Sequence, residues 1–180
     1  QLAPIDDLNK EVLLQINENQ NWKTIANSKI DINARTAAFK IPNWDDTYDI
    51  KYRLVYNLEE ANNTNKDYYW EGIIRKNPKN KKDIVIAGFT GNNDLGFPNT
   101  DIVNQVKYQN PDMLFFSGDQ IYEEVGGYYI QREPFEVATL DYLRKWYMFG
   151  WAYRDLLKDR PTICLVDDHD VYMGNVWGES

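Results

Sequence analysis

A chain of 180 residues with 43% hydrophobic content, six Trp and thirteen Tyr has ample material for a packed core and room for one or two domains. Its formal charge of −8 and isoelectric point near 4.7 argue against a nucleic-acid backbone or an anionic membrane surface as the main partner, because both would repel it. An anionic substrate would need a cation or a local cluster of positive charge to hold it. With one cysteine, the chain has no internal disulfide framework and no cysteine-based zinc cage. Cys164, in "PTICLVDD", is expected to be a buried strand thiol. No apolar run approaches the roughly 18 residues that span a membrane, and no basic-then-apolar signal segment opens the sequence. Beginning at Gln1, the chain is read as a processed or trimmed piece.

Residues 1–21 form a lead-in segment. In "IDDLNKEVLLQIN", Leu8, Val12, Leu13 and Ile16 have helix-compatible spacing, and the stretch is read as a short helix or an extended approach. From about residue 22 the period becomes two. Ala37, Phe39 and Ile41 alternate with other residues, as do Ile50, Tyr52, Leu54 and Tyr56, and "YYWEGIIRK" is similar. Strands separated by "PNWDDT" and "EEANNTNKD" turns predict an antiparallel β-sandwich-like domain over 22–80.

"KNPKNKKD" (76–83) has linker composition, and the grammar changes after it. "DIVIAG" (83–88) is a continuous apolar strand, "NTDIVNQV" opens a helix capped by Asn99 or Thr100, and "DMLFFSG" is a second strand. A helix over 137–158, with Leu140, Leu143, Tyr147 and Trp151 as its apolar face, leads to the third strand "TICLVD". The order β-α-β-α-β predicts parallel strands that open onto one edge, so 83–180 is read as part of an α/β domain.

That topology gathers "GFTGNND", "GDQIYE" and "DDHDVYMGN" at one place, where open α/β sheets bind ligands. Asp119 and Asp168 are hard oxygen donors for divalent or trivalent cations, and Tyr122 could ligate as a phenolate. His169, the lone histidine, follows Asp168 and can donate a proton near neutral pH. Each motif alone has an ordinary explanation: Gly118-Asp119 as a turn, Tyr122 as a packed aromatic, Asp167 and Asp170 as solvated acids. Their joint occurrence at successive strand ends favours a site.

In that order, "SGDQIYEE", "LDYLRKWY" and "DRPTICLVDDHDVYMGN" resemble the PhoD-like alkaline phosphatase and phosphodiesterase branch of the calcineurin-like metallophosphoesterases. The resemblance covers roughly 83–180, and the strands before it look like the β-sandwich that often accompanies that family. It implies a metallophosphoesterase-type layered α/β fold, two or more metal ions (Fe, Ca, Mn or Zn), a phosphoester substrate and an extracytoplasmic location. It further implies that Asp119 bridges two metals, that Tyr122 and Asp168 each ligate one, and that His169 assists near the leaving oxygen. Two departures stand out. The family places an acid or a cysteine at the end of the first strand, whereas here Phe89 cannot ligate and Asn92, Asn93 or Asp94 would have to substitute. Family members also continue further to supply more His and Asp ligands, so the chain is read as the N-terminal portion of a metal-dependent phosphoester hydrolase. The alternative is a non-catalytic secreted module that binds a polymer or partner, its acids structural or Ca²⁺-binding.

Overall fold

The computed structural model describes residues 1–5, 10–60, 64–126 and 128–172. They divide into two compact units, Gln1–Lys79 and Asn80–Ser180, and the division falls inside the linker-like "KNPKNKKD".

The first unit is built on one antiparallel sheet. Its strands are β1 (Glu11–Glu18), β2 (Asn21–Lys29), β3 (Ile50–Glu59) and β4 (Asn65–Ile74), in the order β2-β1-β3-β4. Residues 1–21 are therefore not a lead-in, because β1 is a central strand paired on both sides. Val12, Leu14 and Ile16 are its buried residues, and this period of two decides the strand. The helix-like spacing of Val12, Leu13 and Ile16 is incidental, and Leu8 lies outside the described residues. The alternation at Ala37, Phe39 and Ile41 forms no strand; that region carries only an isolated bridge between Asp31 and Thr36. Among the described residues the unit has a single sheet rather than two facing ones.

The second unit holds three parallel strands, β5 (Ile86–Phe89), β6 (Met113–Phe116) and β7 (Thr162–Cys164), in the order β5-β6-β7. Helix α1 (Thr100–Gln109) connects β5 to β6, and α2 (Phe135–Leu157) lies between β6 and β7. Leu114, Phe116, Val103, Phe149, Tyr153 and Leu156 lead the core, with Phe89 stacked on Phe116 at 4.5 Å between ring centroids. Asn99 is the N-cap of α1 but does not cap through its side chain; its amide instead donates to Tyr153 Oη at 3.0 Å.

Two expectations about burial are overturned. Helix α2 turns Asp141, Lys145, Phe149, Ala152, Tyr153 and Leu156 inward, while Leu140, Tyr147 and Trp151 are exposed. Both stripes carry large apolar residues. The inward one is selected because Phe149 and Tyr153 pack edge-on or tilted against Phe116 and each other, and because Asp141 and Lys145 neutralise one another at 2.8 Å. The second concerns Cys164, which is exposed rather than buried. It lies on β7, an edge strand with a neighbour on one side only, and Ile163, Leu165 and Val166 beside it are exposed as well. Only β6, flanked on both sides, has two fully buried side chains. Among the described residues no helix is long and apolar enough to cross a membrane.

Candidate metal centre

Beyond β6 the chain turns sharply through Gly118, which has a φ of +121°. Only glycine fits, since a Cβ there would lie 2.6 Å from Asp167 Cβ. Asp119 follows at a φ of +55°, a left-handed conformation that is uncommon outside glycine and needs the surroundings to hold it. Those surroundings are the loop after β7. Asp170 is fully buried, and its carboxylate accepts from the backbone N–H groups of Gln120 (2.7 Å) and Ile121 (3.2 Å) through Oδ1. Through Oδ2 it accepts from those of Asp119 and Asp167, both at 3.0 Å. Gln120, also fully buried, adds a bond from Nε2 to the same Oδ2 and another to the Leu165 carbonyl. A concavity of backbone N–H groups around one carboxylate is a stable way to hold an anion. It fastens the Asp119 turn to the Asp168 turn.

Of the two acids with an ordinary explanation as solvated carboxylates, Asp167 is exposed and Asp170 is buried. Helix α2 supports the same loop, because Tyr142 Oη donates to the Asp170 carbonyl at 2.8 Å.

The result is a cluster. Asp119, Asp168 and His169 each offer one ligand atom, and these atoms lie within 4.8 Å of one another. Tyr122 belongs with them. Its hydroxyl donates to Asp119 Oδ2 at 3.1 Å and its ring lies 4.5 Å from the His169 ring. The loop after β5 reaches this place too, with Asn92 N–H donating to the Asp119 carbonyl at 2.9 Å. Gly91 leaves room for the Tyr122 hydroxyl, to which a Cβ would approach within 3.3 Å.

The three residues considered for the missing first-strand ligand have other positions. Asn92 is buried and accepts from Tyr153 Oη at 2.8 Å, Asn93 caps the short 3-10 turn Asp94–Gly96, and Asp94 approaches Gly126. None of them is in the three-residue cluster. Phe89 points into the core.

Glu123 is the residue that sequence reasoning missed. Its Oε2 lies 2.5 Å from His169 Nδ1, leaving Nε2 as the ring atom available for other chemistry. Lys145, from the inward face of α2, donates to the Glu123 backbone carbonyl and pairs with Asp141. "IYEE" placed an acid beside the motif, but nothing local revealed that it meets a histidine 46 residues away.

Burial and the neighbouring charges shift three groups of the cluster. Burial raises the Asp119 pKa, outweighing the hydrogen bond from Tyr122 and the attraction of His169. Among the described residues Asp119 Oδ1 is buried with no hydrogen-bond partner, an acceptor of the sort that a cation satisfies. Burial, together with the Asp119 hydrogen bond and charge, pushes Tyr122 up to about 12. As built, it is a phenol donating to Asp119, and it ligates only if a cation displaces that proton. Burial works against a protonated His169, but the hydrogen bond and charge of Glu123, with Asp119 and Asp168, outweigh it and raise its pKa.

A pH dependence follows. A cation competes with the Asp119 proton and is repelled by a protonated His169 beside it, and both groups hold their protons to higher pH than usual. Calorimetric titration with Mn²⁺ should therefore show affinity still rising between about pH 6 and about pH 8, the range in which histidines titrate. Glu123→Gln, which removes the charge that holds the His169 proton, should move that rise to lower pH. An affinity flat across the range in both proteins would refute the assignment.

Compared with protein-family models, with curated proteins and with solved structures, the chain gives no match in any of the three.

Proposed function

We propose that the second unit carries a metal site of a phosphoester hydrolase, acting on phosphomonoesters or phosphodiesters. The observation that supports it most is the convergence of Asp119, Asp168 and His169 within 4.8 Å, beside an Asp119 oxygen that no hydrogen bond among the described residues satisfies. With the Tyr122 oxygen, Asp119 and Asp168 offer oxygen donors to one ion of the Mn, Fe, Zn or Ca kind, and His169 stands beside them. A second ion, which the family resemblance implies, would need donors beyond this cluster. When bound, such an ion would supply Lewis-acid polarisation of a phosphoryl oxygen and a low-pKa water.

The remaining roles belong to the chain. Asp119 and Asp168 supply negative charge that concentrates cations at a sheet edge, so an acidic protein can hold an anionic substrate there. Glu123 orients His169 by holding Nδ1, and it favours the protonated ring, so Nε2 can deliver a proton to a departing alkoxide. Asp170 keeps the two loops in register without entering the reaction.

The test is hydrolysis of 4-nitrophenyl phosphate and bis(4-nitrophenyl) phosphate by metal-stripped protein, supplied in turn with Mn²⁺, Fe³⁺, Zn²⁺ and Ca²⁺. Turnover should depend on one of these ions and vanish in Asp119→Asn, together with calorimetric binding of that ion. Ion binding and turnover absent for all four ions would remove the proposal.

A further inference from the structure

A groove of about 400 Å³ lies in the first unit. It runs over the face of the sheet opposite Val12, Leu14 and Ile16. The registers Leu13↔Val55↔Tyr69 and Gln15↔Arg53 place these side chains on one surface. The groove's size is within the usual range for small-molecule sites, roughly 300–1,000 Å³.

Its chemistry is specific. Val55, only 6% exposed, and Leu13 supply apolar lining, and the Tyr69 ring, half exposed, stands beside them. Arg53 lies between two rings, its guanidinium carbon 4.5 Å from the centroids of both Trp22 and Tyr69, while its Nε donates to Gln15 Oε1 at 2.7 Å. Gln15 is in turn fixed by donation to Thr24 at 3.0 Å. Among the described residues, no hydrogen bond engages the four Nη–H donors of Arg53. The acceptors are pre-set as well: Asp67 takes bonds from Asn57 Nδ2 and Tyr69 Oη, and Glu11 takes one from Asn27. Each of these carboxylates keeps acceptor capacity, as does the Asn57 carbonyl oxygen.

The charges of the lining cancel, Lys10 and Arg53 against Glu11 and Asp67. A strongly charged ligand would gain from one pair and be repelled by the other. A ligand whose groups both donate and accept would use all of them, with each hydroxyl accepting from Arg53 or Asn57 while donating to Asp67 or Glu11. Apolar C–H faces would meet Val55, Leu13 and the Tyr69 ring. Such a ligand is polyhydroxylated, neutral and amphipathic in faces. We infer that this groove is a binding site for a neutral oligosaccharide. The inference is independent of the hydrolase reading, since none of its residues belongs to the metal centre.

The experiment is calorimetric titration of the full chain with cellohexaose, xylohexaose, mannohexaose, laminarihexaose and chitohexaose, with hexagalacturonate as the anionic counterpart. At least one neutral hexaose should bind more tightly than hexagalacturonate. Tyr69→Ala and Asn57→Ala, both at exposed positions and checked for fold by far-UV circular dichroism, should each weaken that binding by about tenfold, near 1.4 kcal/mol. The inference is overturned if no neutral hexaose binds at concentrations up to about 10 mM, well beyond weak millimolar affinity. Binding confined to hexagalacturonate, or binding that both substitutions leave unchanged, overturns it equally.

Discussion

Asp170→Asn should unfold the second unit at a temperature at least 10 °C lower, on the order of 2–4 kcal/mol of lost stability in a unit of this size. The reason is stereochemical. Each oxygen of the Asp170 carboxylate serves at least two donors: Oδ1 accepts from the N–H groups of Gln120 and Ile121, and Oδ2 from those of Asp119 and Asp167 and from Gln120 Nε2. An amide presents one oxygen and one NH₂, so whichever way it flips, an NH₂ faces two N–H donors that are left without an acceptor in a buried site. Loss of the negative charge removes the charge-assisted part of the bonds that remain. Asp167→Asn is the control, because Asp167 is exposed and its carboxylate accepts from the N–H of Asp168. It should cost less than about 1 kcal/mol, as exposed substitutions usually do. Thermal unfolding followed by near-UV circular dichroism compares the two, and similar small losses for both would show that Asp170 does not fasten the loops. Mn²⁺ affinity should fall in Asp170→Asn as well, since the register of Asp119 and Asp168 depends on it.

How legible all this was in the sequence depends on range. Continuous apolar runs at 83–88, 112–118 and 162–167 marked strands, and the structure has β5, β6 and β7 there, their ends differing by up to three residues and all of them parallel. The short-range period of two marked β3 and β4 in the same way. Local pattern failed where two periods overlap or where partners are distant. "EVLLQIN" satisfies helix and strand spacing alike, and only pairing with β2 and β3 on either side decides for a strand. In α2 both stripes are apolar, and the choice between them rests on Phe116, far away in sequence. That Asp119, Tyr122, Asp168 and His169 come together was legible because residues at the ends of parallel strands share an edge. Asp170 and Glu123 were not, because a buried carboxylate reads like a solvated one until its donors are known.

His169→Asn carries the second large effect, and it separates proton delivery from metal holding. On the hydrolase reading, His169 gives a proton to the departing alkoxide, and its loss should lower turnover by about 10²–10⁴-fold. The loss should shrink along a series of aryl phosphates as the leaving phenol becomes more acidic, because a weakly basic oxygen departs without being protonated. A simple alkyl ester should suffer most. Mn²⁺ affinity should fall by no more than about tenfold, since Asp119 and Asp168 remain and the asparagine carbonyl can still offer an oxygen donor. Glu123→Gln should reproduce part of the turnover defect, because the imidazole is retained but loses the partner that orients Nδ1 and favours its protonated form. A third outcome would tell against proton delivery: if His169→Asn strips the ion and lowers turnover equally for every leaving group, His169 is a ligand. The 4.8 Å cluster permits that geometry, and the proton would then have to come from water. The leaving-group slope and the metal content, measured on the same preparation, decide between the two roles.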